Sequence, residues 1–197
     1  MANCHLNRLK NIWYTLCVDL IGPYTILQQG KKPLKLWCLT MVDPATGWFE
    51  MAQIPNKTAA ETADITEKTW FTRYPLPQRI VFDCGTKIMD EFDKICHNDY
   101  GLKRKPITTR NPQSNAIIER IHQTIGNIIR TFDVSNIFNN DPWSGILAAT
   151  MFAVQATYHT TLQASQMQLV FGQDAILNIK HVADWEHIRQ RTFSYLA

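Results

Sequence analysis

The sequence contains no hydrophobic run that approaches the roughly 18 residues needed to cross a membrane as a helix. Its first residues, MANCHLNRLKNIW, are too polar for a secretory signal peptide. The five cysteines are odd in number and scattered, and none forms a CxxC pair. The cysteine pattern therefore predicts reduced thiols, with neither a disulfide framework nor a zinc site. Reduced thiols and the lack of a membrane-spanning run lead us to expect an intracellular protein without a membrane anchor. Internal repeats and low-complexity segments are also lacking.

The composition is that of a globular domain. Of 197 residues, 45% are hydrophobic and 19% are charged, which suffices for one domain with a substantial core. The net charge is only +3, but it is unevenly distributed. Residues 101–130 contain six basic side chains and a single acid, Glu119. This segment is either a solvated basic surface or a surface that binds phosphate groups.

The order of strand and helix signals predicts an α/β fold. Alternating, strand-forming segments separated by the turn sequences QQGKKP and DPATG indicate an antiparallel meander, in which Asp43 serves as a turn residue. Helices join the two later strands, which should therefore be parallel. We expect one mixed five-stranded sheet flanked by helices, within a core at residues 11–163 that has a tail at 1–10 and an extension at 164–197. The predicted strands are 13–26, 34–42, 48–54, 79–83 and 102–108, and the predicted helices are 58–74, 88–101, 111–132 and 141–163.

The segment NPQSNAIIERIHQTIGNIIRTF is predicted to be an amphipathic helix. Pro112 suits its first turn. Glu119 falls on its polar side, where it is either an ordinary solvated glutamate or a functional carboxylate. The predicted apolar stripe is Ile117, Ile118, Ile121, Ile125, Ile128, Ile129 and Phe132, and the opposite side carries Asn115, Glu119, His122, Gln123, Gly126 and Arg130.

Two further carboxylates lie where acids are unusual. Asp19 stands inside the first strand, neither face of which looks solvated, so it is either a paired structural residue or a metal ligand. Asp83 ends a short buried strand before a glycine turn, where it either starts the turn or provides a functional group. If Asp19, Asp83 and Glu119 converge, their mutual repulsion requires cations between them, and oxygen ligands of this kind suit magnesium or manganese.

These acids and their flanks resemble the catalytic core of retroviral-type integrases of the DDE superfamily, most closely those of gypsy-type LTR retrotransposons. The resemblance covers about residues 13–172. Between Asp83 and Glu119 lie 35 residues, as in the D,D(35)E signature of that family. The segments that carry the resemblance are VDLIGPY, VDPATGWFE, VFDCGTKI, NPQSNAIIERIHQTI and HTTLQASQMQLVFG.

The resemblance implies an RNase H-like fold with Asp19, Asp83 and Glu119 as catalytic residues that hold two Mg²⁺ or Mn²⁺ ions. The implied activity is metal-dependent cutting of element DNA ends and their joining to target DNA, in the nucleus of a host cell. We also expect a homodimer or higher oligomer built from the helices at 58–74 and 141–163. The residues expected to contact DNA are Arg110, Gln113, Asn115, His122 and Gln123.

Some residues depart from the family pattern. Cys84, Lys87 and Ile88 are unusual after Asp83, and Gln166 stands where the family prefers proline. The zinc-binding domain that normally precedes such a core and the domain that normally follows it are not recognisable in the sequence. Two alternatives therefore remain: a catalytically weak fragment that keeps DNA binding and dimerisation, or an RNase H-type ribonuclease that uses the same three acids.

Overall fold

The structure is a computed structural model that describes residues 12–26, 32–82, 86–104, 112–131, 142–159 and 163–175. Its main sheet has five strands in the order β3-β2-β1-β4-β5. β1 is antiparallel to β2, and β2 to β3, whereas β4 is parallel to both β1 and β5. The predicted sheet, a meander extended by two parallel strands, is thus confirmed. The strands are β1 (Thr15–Ile26), β2 (Leu34–Val42), β3 (Phe49–Gln53), β4 (Arg79–Phe82) and β5 (Lys103–Arg104).

Five α-helices accompany the sheet in the described ranges, and none of them is long and apolar enough to cross a membrane. The first helix continues into one π-helical turn, Glu67–Phe71. Two very short strands, β6 (Tyr158–His159) and β7 (Ala164–Ser165), form a separate hairpin. The helices are α1 (Ala59–Thr66), α2 (Thr86–Tyr100), α3 (Pro112–Thr131), α4 (Pro142–Ala156) and α5 (Gln166–Phe171).

Helices cover both faces of the sheet, which explains why neither side of β1 carries a polar pattern. Leu16 and Val18 on one side of β1 pack in a cluster with residues of α1, the π-helical turn and α2. Cys17 and Ile21 on the other side pack with α3 and α4. Because side chains alternate along a strand, Asp19 shares the side of Cys17 and Ile21. The strand therefore directs Asp19 toward the layer formed by α3 and α4.

Helix α3 packs through the predicted apolar stripe. Ile121, Ile125 and Ile129 are buried against β1, β2 and α4. Gly126, which was expected on the polar side, is also buried. Glu119 and Gln123 are exposed, as the helical periodicity predicts.

Helix α4 differs from its prediction in length and in exposure. It was expected to run to residue 163 but ends at Ala156, and the chain then enters strand β6. The residues after Ala156 are β-branched and aromatic types that favour strands, and Gln163 has a left-handed backbone with φ of 53°. Trp143 and Leu147 belong to a helix that was expected at a dimer interface, but they are buried in the chain's own core. Tyr158, just after that helix, is a large apolar side chain that is exposed.

Gln166, where the family prefers proline, is the first residue of α5. Ser165 caps this helix by accepting a hydrogen bond from Gln168 N, and the Gln168 side chain accepts one from Ser165 N. Proline suits the first position of a helix because the amide there has no partner within the helix. In this chain Gln166 is 1% exposed, and its Oε1 lacks a hydrogen-bond partner among the described residues. Gln166 thus places a buried polar side chain where the family has a proline, whose backbone already suits the start of a helix. This position is far in the sequence from Asp19, Asp83 and Glu119.

Candidate active site

Asp19 lies at the centre of the sheet with a partly exposed carboxylate. Its side chain is 33% exposed, and Oδ1 accepts a hydrogen bond of 2.8 Å from Leu20 N. In the ladder with β2 it stands opposite Thr40, whose hydroxyl donates to the Asp19 carbonyl oxygen at 3.1 Å. The carboxylate is thus oriented by its own backbone, yet remains accessible to solvent.

His122 of α3 is the residue that brings the helix onto this part of β1. Its Nδ1 lies 3.7 Å from Asp19 Oδ2, and its Nε2 lies 3.0 Å from Thr40 Oγ1. Burial lowers the pKa of His122, which disfavours an ion pair with Asp19. Because Thr40 has one hydroxyl hydrogen and donates it to Asp19, His122 Nε2 donates to Thr40. His122 therefore joins α3, β1 and β2.

Glu119 precedes His122 by three residues on α3. Side chains three apart lie on the same side of a helix, so Glu119 projects from the side of α3 that His122 turns toward Asp19. It is exposed. The structure thus places two of the three predicted acids, Asp19 and Glu119, on neighbouring elements that His122 connects directly.

Asp83, the third acid, lies outside the described residues, but the strand that leads to it is well placed. β4 runs parallel to β1, and their last paired residues are Val18 and Phe82. These residues immediately precede Asp19 and Asp83 in the sequence. The residues just before the two acids, Val18 and Phe82, therefore lie side by side in the sheet.

The donor chemistry of the described acids fits a hard divalent cation. Asp19 and Glu119 offer carboxylate oxygens with access to solvent, which Mg²⁺ and Mn²⁺ prefer. Cys17, on the same side of β1 as Asp19, is no competing ligand, because burial raises the pKa of its thiol to about 12. Among the described residues there is no group of three or more His, Cys, Asp or Glu that could hold a metal ion, and Asp83 is not one of those residues.

Two other acids are buried for structural reasons. Asp43 accepts hydrogen bonds from Ala45 N at 3.1 Å and from the Thr46 hydroxyl at 2.8 Å, which confirms its predicted role in the turn. Burial raises the pKa of Asp43. Glu50 on β3 accepts a hydrogen bond from the Tyr74 hydroxyl and lies 3.5 Å from the Arg73 guanidinium. The sequence analysis did not single out Glu50, although it lies inside the predicted strand 48–54.

The residues predicted to contact DNA are only partly described. Arg110 lies outside the described residues, and Gln113 and Asn115 belong to α3, although their side chains are not described. Gln123 is exposed on α3. His122 instead turns inward, with 18% of its side chain exposed. Sequence reasoning missed Thr40, whose only signal was its position opposite Asp19 once the meander is paired.

A basic side chain also lies on the exposed part of α3. Arg120 follows Glu119 and is exposed. Burial, and to a smaller extent the Arg120 charge, lowers the pKa of His159 on β6.

Comparisons with known proteins support the same family. No family model matches the chain. The "Retrovirus-related Pol polyprotein from transposon 412" of Drosophila melanogaster is 22% identical over 160 residues, which are 81% of this chain and 12% of that protein. The human "Gypsy retrotransposon integrase-like protein 1" is 22% identical over 155 residues, 78% of this chain and 28% of that protein. The chain thus spans between 12% and 33% of the length of the curated relatives it matches.

Solved structures agree over much more of their length. The catalytic core domain of BIV integrase has a TM-score of 0.61 at 15% identity, covering 90% of this chain and 98% of that one. The HTLV-2 integrase catalytic core in complex with magnesium, in a trimeric form, has a TM-score of 0.60 at 16% identity, covering 79% and 95%. The predicted resemblance to retroviral-type integrases and the RNase H-like fold are confirmed by these comparisons.

Proposed function

We propose that this chain is the catalytic core of a DNA integrase, a metal-dependent polynucleotidyl transferase that processes element DNA ends and joins them to target DNA. The observation that supports this most directly is the arrangement around Asp19. β1 and β4 pair in parallel up to Val18 and Phe82, the residues that precede Asp19 and Asp83 in the sequence. His122 contacts Asp19 and so places α3, which carries Glu119, next to β1. The similarity in fold to integrase catalytic cores supports the proposal that these acids serve DNA cleavage and joining.

In the proposed reaction, Asp19, Asp83 and Glu119 hold two divalent ions, Mg²⁺ or Mn²⁺. The ions supply activation of the attacking oxygen and stabilisation of the negative charge that develops on the phosphate. Water, and then a DNA 3′-hydroxyl, attacks phosphorus while the displaced DNA oxygen leaves, so no covalent enzyme intermediate is needed. The hydrogen bond from Leu20 N orients Asp19 Oδ1 and leaves Oδ2 on the side of His122. A solved relative in fold, the HTLV-2 core, is described in complex with magnesium, which is consistent with this proposal.

Pre-assembled branched DNA is the substrate that tests this function. We expect slow cleavage, or reversal of strand transfer, that requires metal and is faster with Mn²⁺ than with Mg²⁺, because Mg²⁺ demands near-ideal octahedral geometry. Denaturing gels of end-labelled DNA would measure the products. Metal binding without turnover on any DNA would support the alternative, a catalytically inactive core that keeps DNA binding and dimerisation. Preferential cutting of an RNA–DNA hybrid would support the ribonuclease alternative.

We further propose that the segment TTRNPQSN and the polar face of α3 bind DNA. Arg110, Gln113 and Asn115 belong to that segment and Gln123 to the polar face, and the amides at a helix N-terminus can also face a phosphate. Arg110→Ala and Gln123→Ala should each weaken DNA binding, and Arg110→Ala should reduce the dependence of binding on salt because it removes one phosphate contact. Fluorescence anisotropy over a series of salt concentrations measures both effects. Lys68→Ala, which removes an exposed charge on the opposite side of the sheet, is the control, and equal effects from all three variants would contradict the proposed surface.

We also propose a protein partner, a second copy of this chain. One structure similar in fold is a dimeric form of the HTLV-2 integrase core, so we propose that this chain also pairs with itself. Since Trp143 and Leu147 are buried within the chain, such an interface must use other residues of α1 and α4. We propose that the protein acts in the host nucleus, where target DNA is found.

A further inference from the structure

His122 and Thr40 connect the strand that carries Asp19 to the helix that carries Glu119. They do so through hydrogen bonds within the protein. His122 Nε2 donates to Thr40 Oγ1 at 3.0 Å, and Thr40 donates to the Asp19 carbonyl oxygen at 3.1 Å. Thr40 is fully buried and His122 is mostly buried. A chain of two hydrogen bonds thus connects the backbone of β1 to the polar side of α3.

This link has a mechanical consequence for the site. Asp19 is carried by β1 and Glu119 by α3, and these elements also share apolar contacts through Ile121, Ile125 and Ile129. Apolar contacts are not directional, so they hold α3 on the sheet without fixing its rotation or slide closely. Hydrogen bonds depend steeply on distance and angle. His122 lies one helical turn from Glu119. Its hydrogen bond to Thr40 therefore restricts the position of Glu119 relative to Asp19.

We propose that His122 and Thr40 are positioning residues that fix the distance between Asp19 and Glu119 and thereby set the affinity of the site for divalent metal. This role differs from the DNA contact expected for His122 from the sequence. It rests on the proposed function, because it requires the two carboxylates to share a metal site. Polar groups behind metal ligands typically change metal affinity by roughly 10- to 100-fold when they are removed.

Mn²⁺ alone, without DNA, is the probe for this inference. The dissociation constant is measured by electron paramagnetic resonance of unbound Mn²⁺, and the melting temperature is measured without metal. His122→Phe keeps a ring of similar size but removes the donor, and Thr40→Val removes the hydroxyl while keeping the shape. Both should weaken Mn²⁺ binding by roughly 10-fold or more. His122→Gln, whose Nε2 is a donor at nearly the same distance from the backbone, should bind Mn²⁺ close to the wild-type affinity.

Thr124→Val on α3 is the matched control, because the Thr124 hydroxyl is exposed and only donates to the Arg120 carbonyl oxygen of its own helix. It should leave Mn²⁺ affinity unchanged. If His122→Phe does not fold, Thr40→Val decides, since it alters no side chain of α3. Wild-type affinity in Thr40→Val or in a folded His122→Phe would overturn the positioning role. If Asp19→Asn also binds Mn²⁺ like the wild type, the proposed metal site itself is wrong, which is a separate result.

Discussion

Replacing Asp19 with Asn is expected to slow metal-dependent cleavage of branched DNA by at least about a thousand-fold, a loss typical of removing a central catalytic group. The reason is local. Asn keeps the size of Asp and an oxygen that can accept the hydrogen bond from Leu20 N, but it removes the negative charge that a divalent ion requires. Glu119→Gln should cause a comparable loss, and because Glu119 is exposed its replacement should leave the melting temperature unchanged.

The control for these variants is Asp64→Asn. Asp64 is an exposed acid on α1, paired with Lys68, on the opposite side of the sheet from α3. It should retain wild-type activity, because an exposed ion pair contributes little to stability and this one is remote from Asp19. Rates for Asp19→Asn or Glu119→Gln within ten-fold of the wild type, measured at saturating Mn²⁺ on the same branched DNA, would contradict a catalytic role for these acids.

The sheet was predictable because its signals are local. The turn sequence DPATG fixes the β2–β3 hairpin through Asp43 and Thr46, which bond to each other in the structure. Helical periodicity likewise identified the buried side of α3, since Ile121, Ile125 and Ile129 repeat at the spacing of one helix face. Such features depend on residues close together in the sequence, so the sequence alone determines them.

The features that were missed depend on contacts between distant segments. Thr40 and His122 are separated by 82 residues, and nothing about a threonine in a strand indicates that it bonds to a histidine. Glu50 is buried and accepts a hydrogen bond from Tyr74, which lies 24 residues further along the chain. The end of α4 was misjudged because its apolar residues continue to Tyr158, while the β6–β7 pairing that ends the helix uses residues further along the chain. The acids themselves were identified from their flanking motifs, whereas the hydrogen bonds that orient Asp19 required the structure.

The second large effect concerns stability. Ile125→Ala should lower the free energy of unfolding by about 3 kcal/mol, within the range of roughly 2–5 kcal/mol seen when a large aliphatic side chain is removed from a packed core. Ile125 is fully buried between α3, the sheet and α4, so its truncation leaves a cavity that the surrounding strands cannot readily fill. Denaturant unfolding followed by circular dichroism would measure the change, with the slope of the transition checked for two-state behaviour.

Ile128→Ala provides a comparison within the same helix. Ile128 packs against the same cluster but is only partly buried, so its truncation should cost clearly less. Ile125→Val, which removes a single methylene, should cost about 0.5–1.5 kcal/mol. A loss below about 1 kcal/mol for Ile125→Ala would mean that α3 is not anchored by its apolar side. Because His122 lies one turn before Ile125, a folded Ile125→Ala protein should also bind Mn²⁺ more weakly than Ile125→Val. The buried isoleucines of α3 keep the helix packed against the sheet. We expect that this packing is needed for His122 to reach Thr40 and for Glu119 to reach the metal.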